Sequence, residues 1–219
     1  MLGIYVTVPV ACFRKGLARE YLETEPLPPP ATCYGFLLSL VGETKRNRHV
    51  GCRVTAGLLN HPRQSVVLRT VWRVKKTPLG SSGNTRPDYQ QLLTGVELLV
   101  WLDSSEELAA GEGARLEERV RFALEKPSDI SRFGGLSLGE STHLVDEVCL
   151  LDGRVLPKLS GRRPETFVVE DHGRLTLPVW VDHVGSAGTR YATGSLIAMD
   201  ISPPAREAVP RILPPEPSP

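Results

Sequence analysis

Apolar residues in the first part of the chain follow two patterns, one typical of a strand and one of a helix. Residues 3–13 are rich in β-branched and aromatic side chains and predict a first strand. A proline-rich segment follows at 20–30. Beyond it, apolar residues at helical spacing from Tyr34 to Val41 predict a short amphipathic helix, with Thr32 as its N-cap.

The middle of the chain predicts a long β-hairpin. Alternation over residues 64–76 indicates a strand, and residues 95–102 supply its partner. The polar segment 77–91 between them is long for a compact domain, which is typical of a functional or disordered loop. One face of the first strand is expected to pack and contains Val66, Leu68, Trp72 and Val74. The other face carries three cations, Arg69, Arg73 and Lys75.

A second helix and several short strands are predicted after the hairpin. Apolar spacing indicates a helix over residues 114–126, and a glycine-rich segment follows at 132–143. Alternation and turn residues then predict four strands, at 144–151, 166–170, 174–184 and 192–201. Residues 203–219 include seven prolines, and this composition predicts a disordered tail.

The leading order of strand, helix, strand, strand, helix, strand predicts an α+β chain with a ferredoxin-like fold. We expect this domain to span residues 1–151, with the hairpin at about 64–102. A small C-terminal β extension at 152–202 and the tail at 203–219 are expected to follow it. RNA-recognition domains of this kind bind single strands on the sheet face that the helices leave free. Arg69, Arg73 and Lys75 are expected on that face.

Charge is distributed unevenly, although the formal net charge is only +1. Residues 1–90 hold 13 Lys and Arg against 5 Asp and Glu, whereas residues 91–219 hold 13 against 20. Such a split suggests a surface that meets a polyanion, and the basic cluster at 45–49 agrees with phosphate contacts. Folding could also interleave the two halves and average the field. No apolar run reaches the length of a membrane helix and no secretion signal is recognised, so a cytoplasmic protein without a membrane partner is expected.

Metal, cofactor and nucleotide sites are not expected from the sequence. Four cysteines and five histidines are scattered without zinc spacing. Residues 134–141 imitate the glycine spacing of a P-loop, but Glu140 stands where the phosphate-binding lysine is needed. Acid–base cleavage of RNA needs only a His, Tyr or Lys near a 2′-hydroxyl, and His143, Tyr21 and Lys76 are the candidates for it. A metal-independent endonuclease that cuts RNA therefore stays open as an alternative.

Three segments resemble a known protein family. The first strand runs into Phe13-Arg14, a proline-rich lead-in precedes the helix that contains Tyr34-Gly35, and residues 136–141 form a glycine loop after the second helix. In these features the chain resembles the CRISPR-associated protein 5 family over about residues 4–150, and the sequence around the glycine loop is most similar to type I-B or related systems. The resemblance implies a modified RNA-recognition fold whose thumb corresponds to residues 77–91.

The resemblance also implies a function and a set of partners. It implies an RNA-binding subunit that holds the 5′ handle of the guide RNA (crRNA) at one end of a type I Cascade complex, beside the backbone subunit and the large subunit. Target DNA is then reached indirectly, through guide pairing. The self-cleaving branch of the family has adjacent Lys and His residues, and no Lys-His dipeptide occurs here. No catalytic residue is therefore expected.

The expected RNA contacts come from basic, aromatic and loop residues. They are Arg14, Lys15, Arg46, Arg48, Arg69, Arg73, Lys75, Lys76, Arg86, Tyr89, Gly139, Ser141 and His143. A third interpretation, a ferredoxin-like protein-interaction module that binds no nucleic acid, is also consistent with the residue pattern.

Overall fold

A computed structural model describes residues 1–16, 21–72, 78, 80–108, 113–184 and 186–215. Within these residues the chain is a mixed α/β protein with a large, mainly antiparallel sheet and two α-helices. The strands are β1 (Leu2–Ala11), β2 (Tyr21–Leu22), β3 (Arg53–Leu58), β4 (Arg63–Trp72), β5 (Thr85–Asp103), β6 (Glu147–Leu150), β7 (Glu165–Val169), β8 (Leu175–Trp180) and β9 (Arg190–Ala198). The helices are α1 (Pro30–Leu40) and α2 (Leu116–Glu125).

The sheet is built around the long strand β5. Its main path runs β6-β1-β5-β3-β7-β9-β8, and all neighbours on that path are antiparallel. The second half of β5 lies between β1 and β3, whereas its first half pairs with β4 and with the short parallel strand β2. Gly95, with φ of +71°, lies where β5 passes from one set of partners to the other, a backbone conformation that glycine adopts at little cost.

Three details of the predicted secondary structure are wrong. Strand β3 is not predicted, because five of its six residues are buried and Ala56 and Gly57 follow Val54 and Thr55, so the segment has no alternation of apolar and polar residues. The predicted N-cap Thr32 lies inside α1, which begins at Pro30 behind Pro29; proline suits the first turn of a helix. The tip loop is shorter than predicted, because β5 already begins at Thr85.

The main hydrophobic core lies between the two helices and one face of the sheet. Side chains of β1 alternate, and Ile4, Val6 and Val8 are buried on the helix side. Helix α1 packs against β3 and β8, and α2 packs against α1 and β6. Among the described residues, neither helix is both long and apolar enough to cross a bilayer.

The sheet face opposite the helices is not the open basic surface that the sequence predicts. A second apolar cluster of Leu59, Leu99, Trp101, Val155 and Leu159 covers part of it. Beside this cluster, Arg162 donates two hydrogen bonds to Glu97, at 2.6 and 2.9 Å, and the Tyr5 hydroxyl donates to the same carboxylate at 2.8 Å. Burial and Glu97 raise the pKa of Tyr5. The prediction that Arg69 lies on this face is wrong, since Arg69 belongs to β4 beyond the main sheet.

The predicted disordered tail is wrong for residues 203–215. Val209 and Ile212 are fully buried beside β3. The N–H of Ile212 donates to the Cys52 carbonyl at 2.8 Å, and the N–H of Gly51 donates to the Ile212 carbonyl, also at 2.8 Å. Proline content alone does not reveal that the two apolar residues between the prolines complete the core.

Candidate nucleic-acid interface

Strand β4 and the first half of β5 form a two-stranded arm that extends beyond the main sheet. Their residues pair from Arg63 with Thr94 to Trp72 with Thr85. Residues 63–70 are exposed on both faces of the strand. The prediction that Val66 and Leu68 pack is therefore wrong, because alternation reveals the two faces of a strand but not whether anything covers them. The predicted contacts Arg73, Lys75 and Lys76 lie outside the described residues.

One face of the arm carries charged and amide side chains that pair with one another. Arg69 on β4 lies directly opposite the fully buried Asp88 on β5. The Nε of Arg86 donates to Oδ1 of Asp88 at 2.8 Å. Arg69 Nη1 donates to the Gln90 side chain and also to Oε2 of Glu140, at 3.3 Å. Arg69 therefore joins the arm to the glycine loop instead of standing free in solvent.

The opposite face of the arm carries an exposed aromatic and apolar row. Leu68, Tyr89 and Tyr21 are direct neighbours on β4, β5 and β2, and we refer to them as the aromatic row. Their exposed fractions are 63%, 52% and 42%. The two tyrosine rings lie 6.4 Å apart between centroids and are tilted by 40°. Exposed rings of this kind can stack on unpaired bases of any sequence. The sequence pattern predicts Tyr89 as a contact but gives no sign that Tyr21 lies beside it, because β2 has only two residues.

The glycine loop is held against the end of β1 by a buried histidine. Nδ1 of His143 accepts the N–H of Cys12 at 3.1 Å and the N–H of Glu140 at 3.2 Å. Gly139 has φ of +106°, and a Cβ there would lie 2.8 Å from the Cys12 carbonyl oxygen. Glycine is needed at this position both for its conformation and for the close approach of the two backbones.

This geometry fixes the tautomer of the neutral His143 ring. Because Nδ1 accepts two hydrogen bonds, the neutral ring carries its proton on Nε2. Burial lowers the pKa of His143, and the nearby Arg69 lowers it further, whereas the carboxylate of Glu140 opposes them. The ring thus acts as a fixed acceptor that holds the loop, with only Nε2 left for any other contact.

Further basic residues lie around the same end of β1. Arg14 is exposed, and its backbone pairs with that of Thr24. Burial raises the pKa of Cys12, Glu140 raises it further and Arg14 lowers it, so both charged groups lie near this thiol. Lys15 approaches Glu23 at 4.0 Å on the surface.

Arg46 and Arg48 lie on the other side of the glycine loop, near the C-terminal end of α1. The Arg46 guanidinium stacks over the Trp180 ring at 3.8 Å. Arg48 contacts Glu43 at 3.1 Å, and Arg119 contacts the same carboxylate at 2.6 Å. Although burial raises it, hydrogen bonds from Arg119 and from the Lys45 N–H lower the pKa of Glu43 to about 2.

The structure thus brings together only part of the predicted site. Arg14, Lys15, Arg69, Gly139 and His143 meet where the arm joins the body. Tyr89 lies on the far face of the arm, Ser141 is exposed in the glycine loop, and Arg86 is held by its own strand neighbour. Lys15, Arg48, Arg69 and Arg86 all face carboxylates, pairings that a count of charges does not reveal. Among the described residues, no group of three or more His, Cys, Asp or Glu could hold a metal.

Comparison with known proteins shows similarity in sequence and in fold. The chain is 54% identical over 217 residues to CRISPR-associated protein Cas5 from Myxococcus xanthus (strain DK1622), and the alignment covers 97% of each chain. A chain of a CRISPR RNA-guided surveillance complex shares the fold with TM-score 0.60 and 13% identity, over 94% of this chain and 95% of that one. The crystal structure of a Cas protein gives TM-score 0.52 and 16% identity, over 96% and 97%. No family model matches the chain.

Proposed function

The chain belongs to the CRISPR-associated protein Cas5 family, and from this premise we propose that it is the non-catalytic subunit that binds the 5′ handle of crRNA in a type I Cascade complex. In this role it caps one end of the backbone filament, beside the backbone subunit and the large subunit. It contributes to DNA targeting indirectly, because guide pairing reads the target sequence. The protein therefore needs a binding surface for RNA and no reaction centre.

The order of the elements supports a ferredoxin-like domain at residues 1–151. Helix α1 connects β1 to β3, α2 connects β5 to β6, and the four strands lie in the order β6-β1-β5-β3. This is the arrangement of a split βαβ fold. We propose that the β4–β5 arm is the thumb inserted into its central hairpin. Strands β7, β8 and β9 then form the C-terminal extension, which joins the domain through β3.

The exposed aromatic row on the arm is the observation that carries the proposal. Strand β4 exposes Val66 and Leu68 on one face of the arm and Val67 on the other, and exposed apolar surface of this kind usually marks an interaction site. Tyrosine rings supply sequence-tolerant stacking, and the cations at the base of the arm supply phosphate contacts. An RNA strand crossing the arm would use both.

His143 has a structural role that suits a binding function. Nδ1 of His143 accepts from two backbone donors and the ring is buried, so Nε2 is the one ring nitrogen left for proton exchange with the RNA. We propose that His143 shapes the glycine loop so that its backbone can approach the handle, and that a separate nuclease matures the guide.

Isolation of the complex tests this function. The chain carrying an affinity tag is expressed together with its neighbouring CRISPR-associated genes and a repeat array, and the co-purified RNA is sequenced. Repeat-derived RNAs with a common 5′ segment are expected. Purification of the assembled subunits without RNA would contradict the proposal and would favour a protein-interaction module.

A further inference from the structure

A groove runs along the only side of α1 that the protein leaves accessible in the described structure. Most of this helix is buried, but Thr32, Gly35 and Ser39 follow one another at helical spacing on its open side. They line two adjacent clefts of about 710 and 310 Å³, which share Gly35, Ser39 and Arg46. We refer to the two clefts together as the helix groove. Their sizes fall in the range of small-ligand sites.

The ends of the helix groove are formed by two loops. The larger cleft is bounded by Arg132 and by Phe133, whose side chain is fully exposed. The smaller cleft is bounded by Ser137 and Gly139 of the glycine loop and by His183. The groove therefore reaches the same glycine loop that His143 fixes and that Arg69 links to the arm.

Arg46 is placed to bind an anion between the two clefts. Its guanidinium carbon lies over the Trp180 ring, 3.8 Å from the centroid, in a cation–π contact that holds the charged group at the groove. In the described part of the chain, Arg46 and Arg132 form no salt bridge, although burial lowers the pKa of Arg46 and the Asp182 carboxylate partly offsets that shift. The one acidic side chain of the lining, Glu43, already receives Arg48 and Arg119.

We propose that the helix groove binds an unstacked nucleotide segment of the RNA strand that the arm holds, with the phosphate on Arg46 and a base against Phe133. This inference rests on the proposed function and extends the site from the arm, past the glycine loop, to α1. The floor of small residues gives room for a flat base. Hydroxyl groups and two guanidinium groups that form no salt bridge in the described structure favour an anionic strand over the apolar side of a protein helix.

Gly35 allows a test in which blocking the groove does not cost stability. A Cβ built at Gly35 meets nothing within 4 Å, although the residue lies inside a helix. Gly35→Ala should therefore raise the midpoint of thermal unfolding by about 2–4 °C through helix propensity. Gly35→Gln and Gly35→Glu place a long side chain in the groove, and the second adds a negative charge. Circular dichroism confirms that each variant is folded.

The binding experiment uses the full chain and a fluorescent single-stranded RNA with the repeat-derived 5′ sequence. Gly35→Ala, which adds a single methyl group, is the folded reference at this position. Relative to it, Gly35→Gln should lose about tenfold in affinity and Gly35→Glu more, the loss of one stacked base and one phosphate. Photo-crosslinking of the same RNA, substituted with 4-thiouridine, to the unmodified chain gives a second measurement that needs no variant. Crosslinks to the peptide that contains Phe133 are expected.

Three outcomes would overturn the inference. Parent-like binding by Gly35→Glu, together with weakened binding by Tyr89→Ala, would exclude the groove and leave the proposed function intact. If Gly35→Glu binds RNA like the parent but no longer assembles with the other subunits, the groove is a protein contact. No salt-dependent RNA binding by the parent chain would remove the proposed function and this inference with it.

Discussion

Arg69 on β4 and Glu140 in the glycine loop form an ion pair, with Nη1 and Oε2 3.3 Å apart, between residues 71 positions apart in the chain. This pair is the charged link between the arm and the body next to the buried His143. Since Arg69 is 44% exposed, the pair should add little to global stability. The pair matters for binding because Glu140 neutralises the Arg69 guanidinium, which could otherwise contact an RNA phosphate.

Removing the carboxylate should therefore strengthen RNA binding. We expect Glu140→Gln to raise the affinity for handle RNA by a few-fold. In this variant Arg69 can bind a phosphate without first losing its ion pair with residue 140. Arg69→Ala should weaken binding and reduce the slope of log affinity against log salt by about 0.7, the value for one phosphate contact on a single strand. Fluorescence anisotropy over a salt series measures both effects. Weaker binding by Glu140→Gln would instead assign Glu140 a positioning role.

Tyr89 should contribute to binding through its ring. Tyr89→Ala is expected to cost about 1–3 kcal/mol of RNA-binding free energy, and Tyr89→Phe should retain most of it, because stacking needs no hydroxyl. Phe122→Ala, which removes an exposed aromatic from α2, serves as the matched control. Titration of the three variants with the same RNA decides the matter; equal effects of Tyr89→Ala and Phe122→Ala would speak against stacking on the arm.

His143 should make the stability of the protein pH-dependent. Its pKa is lowered from 6.5 by burial, so the unfolded chain binds more protons than the folded chain just below pH 6.5. The contribution of neutral His143 to the free energy of unfolding is therefore fully present above pH 6.5, and it is lost as the pH falls through the lowered pKa. Urea unfolding from pH 8 to pH 5 measures this slope. His143→Asn, which keeps an acceptor but cannot titrate, should flatten it, and an unchanged slope would show that other groups dominate.

Cleavage of repeat RNA is not expected from this chain. Incubation of the purified protein with labelled repeat RNA in EDTA should leave the RNA intact. A discrete product that disappears in His143→Ala would establish the endonuclease alternative. His143→Ala also leaves the N–H groups of Cys12 and Glu140 without their acceptor, which should cost about 1–3 kcal/mol of stability. His143→Asn, as the better-folded variant, therefore provides the control for loss of structure.

The C-terminal segment should be a structural part of the core. Ile212→Ala removes a fully buried side chain and is expected to destabilise the protein by about 2–5 kcal/mol. Ile197→Ala, the same change at a position on β9 that is exposed, should cost far less. Thermal unfolding of the two variants measures the difference. Equal stabilities would support a disordered tail.

Elements with a regular periodicity could be predicted from the sequence, and those defined by long-range pairing could not. The pattern of apolar residues predicts β1, α1 and α2 to within a few residues. Strand β1 and helix α2 have one buried side, whereas most of α1 is buried. Strand β3 is buried almost throughout and carries no alternation. Strand β3, and not β4, pairs with the second half of β5. The predicted pairing of residues 64–76 with residues 95–102 is therefore wrong.

The candidate site shows the same division. The sequence predicts Tyr89, Gly139 and cations of the first half as RNA contacts, and the structure places Tyr89 and Arg69 on the arm and Gly139 in the glycine loop. They do not reveal that Arg69 meets Glu140, that Tyr21 lies beside Tyr89, or that Arg46 stacks on Trp180. Each of these contacts joins residues more than 60 positions apart, and only the folded chain brings them together.

Salt-dependent binding of the handle RNA tests the central claim most directly. The full chain is titrated against the labelled 5′ sequence and against a duplex of the same length, over a series of salt concentrations. We predict tighter binding of the single strand, with affinity falling as salt rises because several phosphates are contacted. Weak binding that is equal for both RNAs and unaffected by salt would contradict the account.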